Sequence, residues 1–148
     1  MTASGGLNVG EILDNVGKLR QAYQLWHDTR GGSVQHWLDL MAADVTMRAI
    51  TDGAHGMAFT KANRGKAEAE QYFAGLAADW EMIHFTATEF IAQGDRVVVL
   101  STVAFRYRKT GKVVESPKAD VFRFRDGQIV ECFEFFDSAR AFAATRPD

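Results

Sequence analysis

The stretch "ADVFRFRDGQIVECFEFFD", residues 119–137, decides the fold. Two arms rich in aromatic and β-branched residues flank an Asp126-Gly127 step, the pattern of a β-hairpin. Because side chains alternate along a strand, Asp120, Phe122 and Phe124 share one face of the first arm, and Val121, Arg123 and Arg125 share the other. The arginines mark the second face as the wetter one, so Asp120 points inward with the phenylalanines. A three-residue loop, Arg125-Asp126-Gly127, with Gly127 at positive φ in a bulged turn, would carry Val130, Cys132, Glu134 and Phe136 to that same inner face. A two-residue turn would exchange the faces of the second arm, since a slip of one residue flips every side chain.

Period two extends upstream. "MIHFTATEFI" (82–91), "RVVVLSTVAFRYR" (96–108), "KVVESPKADVFRFR" (112–125) and "QIVECFEFFD" (128–137) read as strands, with turns at Gly94-Asp95, Thr110-Gly111 and Asp126-Gly127. Before them the period is helical. Asn8 and Glu11 have capping-box spacing, and Ile12, Val16, Leu19, Tyr23 and Trp26 form a stripe that ends at Gly31 or Gly32. Ser33 is placed to cap a short second helix in "VQHWLDLMAADV" (34–45), with Val34, Trp37, Leu38 and Met41 on one face, running into a strand near "VTMRAI" (45–50). "KAEAEQYFAGLAADW" (66–80) predicts a third helix with Tyr72, Phe73, Leu76, Ala77 and Trp80 on one side. Between them residues 51–64, "TDGAHGMAFTKANR", lack a steady period and read as a loop long enough to cover a site. Three helices followed by hairpins argue for an α+β fold, an antiparallel sheet wrapped on a helical layer.

A length of 148 residues suits one domain spanning 1–148, with residues 1–8 expected to be flexible. Apolar residues at 47% and charged residues at 24% match a soluble globular chain. The formal charge of -2 sets up no field toward phosphate backbones or anionic lipid, so neither nucleic acid nor membrane is an expected partner. One cysteine, Cys132, removes intrachain disulfides and thiolate metal clusters from consideration and suits a cytoplasmic setting. His27, His36, His55 and His84 show no ligand spacing, and no metal or cofactor is expected.

With its most specific part in "DVFRFRDGQIVECFEFFD" and support from "GDRVVVLSTV", the chain resembles the nuclear-transport-factor-2-like superfamily, and within it the SnoaL-like group related to polyketide cyclases and ketosteroid isomerase. The resemblance implies a cone: a strongly curved antiparallel sheet around three N-terminal helices, with a pocket between them. It also implies a homodimer through the outer sheet face, which Phe133 and Phe135 fit. Asp120 matches the oxyanion-donating aspartate of ketosteroid isomerase, a carboxylic acid kept neutral by its apolar site so that it can donate a hydrogen bond. Tyr23 lies near the isomerase's oxyanion tyrosine, whereas the isomerase's general base falls near Ala49 or Ile50, where no acid stands.

Two carboxyls in an apolar concavity are either satisfied structural groups or a pair whose pKa values are pushed apart for acid–base work. Asp120, Glu134 and Tyr23 are the catalytic candidates. Trp26, His27, Trp37, Met41, Phe59, Tyr107, Phe122, Cys132 and Phe136 are the expected ligand contacts. The bland readings stand beside these: the tryptophans and Tyr23 as core, His27 as a favourable charge near a helix C-terminus. The function expected is isomerase or cyclase chemistry on a small apolar cyclic or polyketide-like substrate. The alternatives are a non-catalytic binding domain using the same pocket, or a dimeric accessory protein.

Overall fold

The computed structural model describes residues 6–148. Residues 1–5 of the segment expected to be flexible lie outside the described residues, and Asn8 within it is ordered as a helix cap. Asn8 Oδ1 accepts the Glu11 N–H at 2.8 Å and Glu11 reaches back to the Asn8 N–H, starting α1 (Val9–Asp28) with the capping box its sequence predicts. The helix buries Leu19, Ala22, Tyr23 and Trp26.

The second helix is shorter than its sequence pattern implies. α2 (Val34–Leu40) stops where Met41 turns extended, and the strand β1 (Met41–Ala49) begins at once, four residues before the sequence places it. Burial explains the difference: Met41, Ala42, Val45, Met47 and Ala49 are all needed by the core, and the extended chain serves them. Ser33 makes no side-chain cap; its Oγ has no partner among the described residues.

Residues 51–64 fold as turns, a 3-10 turn over Ala58–Thr60, and the two-residue strand β2 (Asn63–Arg64). Thr60 Oγ1 organises them, accepting from Thr51 Oγ1 at 2.6 Å and from the Gly53 N–H at 3.0 Å. α3 (Lys66–Asp79) follows, then β3 (Trp80–Gln93), β4 (Arg96–Tyr107), β5 (Val113–Arg125) and β6 (Gln128–Phe136). The sheet order is β2-β1-β6-β5-β4-β3. Its hairpins are antiparallel, and β1 lies parallel to β6, a pairing the hairpin pattern does not announce. Register shifts at Met82/His84 and Ala87/Glu89 in β3 bend the sheet, because each extra residue adds local twist.

The β5–β6 hairpin differs from its sequence pattern at one step and reaches the same result. Asp126 (φ 52°) and Gly127 (φ 75°) form a two-residue turn with Arg125 opposite Gln128, not the three-residue loop. Alone, that turn would flip the second arm. Val130 is then bulged out, with Phe124 opposite Ile129 but Arg123 opposite Glu131, and the extra residue restores the parity. Ile129 therefore takes the core place expected of Val130, while Cys132 and Glu134 return to the inner face with Asp120 directly opposite Glu134.

A fourth helix, α4 (Ser138–Thr145), is absent from the sequence reading, which stops at the last strand. Asp137 caps it, accepting the Arg140 N–H at 3.0 Å, and Ala141 and Ala144 pack against Met57, Trp80 and Val114. Its signal is a bare cap followed by small residues, too short to show a helical stripe.

Candidate functional site

β5 decides the site. Its even positions Ser116, Lys118, Asp120 and Phe122 face inward, and Pro117 falls just beyond the last β5–β6 pair, where no bond to β6 is lost. Asp120 is 3% exposed, and each of its oxygens has its own donor: Tyr23 Oη donates to Oδ2 at 2.5 Å, and Lys118 Nζ to Oδ1 at 2.5 Å. Across the hairpin, Glu134 Oε1 accepts from Tyr72 Oη at 2.7 Å and lies 3.6 Å from Lys118 Nζ. The five side chains form one row, Tyr23–Asp120–Lys118–Glu134–Tyr72, supplied by α1, β5, β6 and α3. Among the described residues no hydrogen bond reaches Glu134 Oε2, and Glu134 keeps a side-chain exposure of 17% against 4% for Asp120.

The row lines one wall of a cavity of about 110 Å³. The rest is mostly apolar surface, including Trp26, Trp37, Met41, Phe59, Phe122 and Phe136, with the Cys132 thiol beside the carboxyls and Thr60, Ser116 and Asp137 as the other polar residues. Tyr23 packs edge-on to Trp37 at 5.0 Å, and Phe122 stacks on Trp37 at 6.0 Å, so the walls interlock with the row.

Burial raises the Glu134 pKa; Lys118 pulls it back, Asp120 pushes it up, and the Tyr72 hydrogen bond pulls it down again, with a net rise. For Lys118 burial alone favours the neutral amine, but Asp120 and Glu134 outweigh it and the pKa rises. It is an ammonium, not a nucleophile. Burial and then Asp120 raise Tyr23, and burial and then Glu134 raise Tyr72, so both phenols stay protonated donors. Burial, followed by Glu134 and Asp120, also keeps Cys132 a neutral thiol.

The three catalytic candidates thus meet in one network, and seven of the nine expected ligand contacts line the cavity. His27 and Tyr107 do not. His27 Nδ1 accepts the Phe85 N–H at 3.2 Å and is tied to β3, and Tyr107 packs on Trp80 at 4.9 Å outside the lining. Lys118 and Tyr72 are the site residues that sequence reasoning misses. Both carry a signal: Lys118 is two residues from Asp120 and so shares its face, and Tyr72 lies on the buried stripe of α3.

The family model for the SnoaL-like domain matches residues 19–132, most of the chain. Among solved structures, an NTF2-like protein of unknown function from Burkholderia pseudomallei superposes with a TM-score of 0.78 at 23% identity, over 88% of this chain and 96% of that one. A protein of Jannaschia provisionally described as a SnoaL-like polyketide cyclase gives 0.76 at 18% identity, over 97% and 100%. A protein with a ketosteroid isomerase-like fold from Catenulispora acidiphila, in complex with trimethylamine, gives 0.68 at 19%, over 83% and 90%. No curated protein matches. At these identities the structural matches establish the fold alone, an α+β NTF2-like cone.

Proposed function

This chain belongs to the SnoaL-like domain family, and from that premise we propose that it is an acid–base enzyme acting at an enolisable carbonyl of a small apolar cyclic substrate. The observation that carries this reading is the place of Glu134. In the parallel β1–β6 ladder it is the partner of Ala49, one of the two positions, Ala49 or Ile50, near which the isomerase resemblance calls for a base and finds none. A carboxylate one strand away stands in for the missing one.

The division of labour follows from which atoms are free. Asp120, the match to the isomerase's oxyanion aspartate, has both oxygens engaged, which argues for a positioning role holding Tyr23 and Lys118. Glu134 Oε2 is uncommitted, and a raised carboxyl pKa favours a group that both takes and returns a proton. Lys118 carries three N–H donors, of which Asp120 takes one and Glu134 attracts another; the third can meet a developing enolate oxygen. The step needs no change of oxidation state: Glu134 removes the proton next to the carbonyl, Lys118 stabilises the enolate, and the proton returns to another carbon.

The test is exchange of α-protons in D2O, followed by NMR, for a panel of small cyclic ketones with and without protein. Acceleration of at least one member supports the reading, and none across the panel overturns it. A second reading, a binding domain without catalysis, is favoured by the tightly closed Asp120–Lys118 pair and the aromatic walls. Ligands that raise the melting temperature but exchange no faster would select it.

A further inference from the structure

On the outer face of the sheet the β-register builds a row of charge. Thr46 pairs with Glu131, Glu131 with Arg123, and Arg123 with Arg96, across β1, β6, β5 and β4. In the next row Arg48 pairs with Phe133, and its guanidinium lies 3.8 Å over that ring. Arg96 and Arg123 are therefore like charges directly opposite each other on neighbouring strands, an arrangement that destabilises a sheet unless something neutralises it.

The chain neutralises it only in part. Arg123 Nε lies 3.0 Å from Glu131 and 3.8 Å from Asp95, yet makes no hydrogen bond of good geometry among the described residues. Arg96 and Arg48 have no ion pair among the described residues. The three arginines line a concavity of about 60 Å³ together with Thr46, Glu131 and Phe133. Three guanidiniums against Glu131 and Asp95 leave an excess positive charge, and a guanidinium presents a planar fork that matches two oxygens of one anion.

We infer that this concavity is a binding site for a compact oxyanion of the phosphate or carboxylate class, held between Arg48, Arg96 and Arg123. The inference stands apart from the chemistry of the inner cavity and does not rest on the proposed reaction. The anion would supply the negative charge that the Arg96–Arg123 pair lacks.

The test is an NMR titration of the labelled protein with inorganic phosphate, and in a second arm with malonate, at constant ionic strength set by chloride. Saturable shifts centred on residues 46–48, 96, 123 and 131–133 are expected in at least one arm, and the stronger arm identifies the class. Arg96→Gln should weaken binding roughly tenfold or more. In chloride alone the same variant should be no less stable than wild type, because it relieves a repulsion, while losing the anion-dependent rise in Tm. Shifts that grow without saturating in both arms, or equal affinity in an Arg48→Gln/Arg96→Gln double variant, would overturn the inference. So would a dimer by light scattering that Arg96→Gln dissociates and neither anion affects, since the arginines would then be meeting a second copy's carboxylates.

Discussion

Lys118 and Asp120 stand two residues apart on one face of β5, their side chains joined at 2.5 Å in the wall of an aromatic cavity. The same ammonium leans toward Glu134 at 3.6 Å, so one positive charge serves two carboxyls. Breaking such a buried arrangement from one side costs more than the pair is worth intact, because a charge is left without compensation.

Lys118→Met should therefore destabilise the fold at neutral pH by about 3–5 kcal/mol, read by urea unfolding. Adding Asp120→Asn should recover a large part of that loss, since it removes one of the stranded charges. Losses that simply add in the double variant would show that the two residues do not act as a unit.

The pKa of Glu134 should move in opposite directions in two variants. The Tyr72 hydrogen bond lowers it, so Tyr72→Phe raises it further; the Asp120 charge raises it, so Asp120→Asn brings it down. Titration of the Glu134 side-chain carboxyl by NMR measures both, and a shift of the same sign in the two variants would break the electrostatic account.

Stability should carry the mark of Glu134. Its folded pKa lies above the ordinary 4.5, so between those two values the folded state holds more proton than the unfolded chain. Stability from this group is then full below 4.5 and is lost as the pH rises through the folded pKa. Unfolding free energies of wild type minus Glu134→Gln, measured from acid to neutral pH, should fall over that window. A difference that rises or stays flat contradicts the raised pKa.

Gly75 should prove to be a seat for Phe59. A Cβ at Gly75 would overlap the Phe59 Cβ, and Phe59 lines the cavity and packs edge-on to Tyr72 at 5.4 Å. Gly75→Ala gains about 1 kcal/mol of helix propensity and loses about 1–3 kcal/mol to overpacking. The net effect should be destabilising in wild type and stabilising in a Phe59→Gly background, the substitution that removes the overlapping Cβ. No difference between the two backgrounds would remove Gly75 from this role.

Much of this is legible in the sequence, for reasons that differ residue by residue. The α1 stripe puts Tyr23 in the core, and alternation in "DVFRF" puts Asp120 inside, because both depend only on local period. The side of Glu134 depends on a turn and a bulge. The turn is one residue shorter than the pattern suggests and the bulge at Val130 cancels the difference, and a bulge leaves no reliable trace in hydrophobic pattern. Lys118, the partner of Asp120, sits beside it on the same strand, where alternation gives its face but not its pairing. The Glu134–Ala49 pairing is out of reach, since a parallel ladder between strands so far apart in the chain is a tertiary fact.

The central claim is that Glu134 moves the proton while Asp120 holds the machinery in place. The most direct measurement is the α-proton exchange rate of the best cyclic ketone with wild type, Glu134→Gln and Asp120→Asn at matched occupancy. Glu134→Gln is predicted to lose about 100-fold or more, the scale of a lost general base, with substrate binding retained, and Asp120→Asn to lose less. Full exchange by Glu134→Gln, with Asp120→Asn inactive, would contradict the account and return the proton to Asp120.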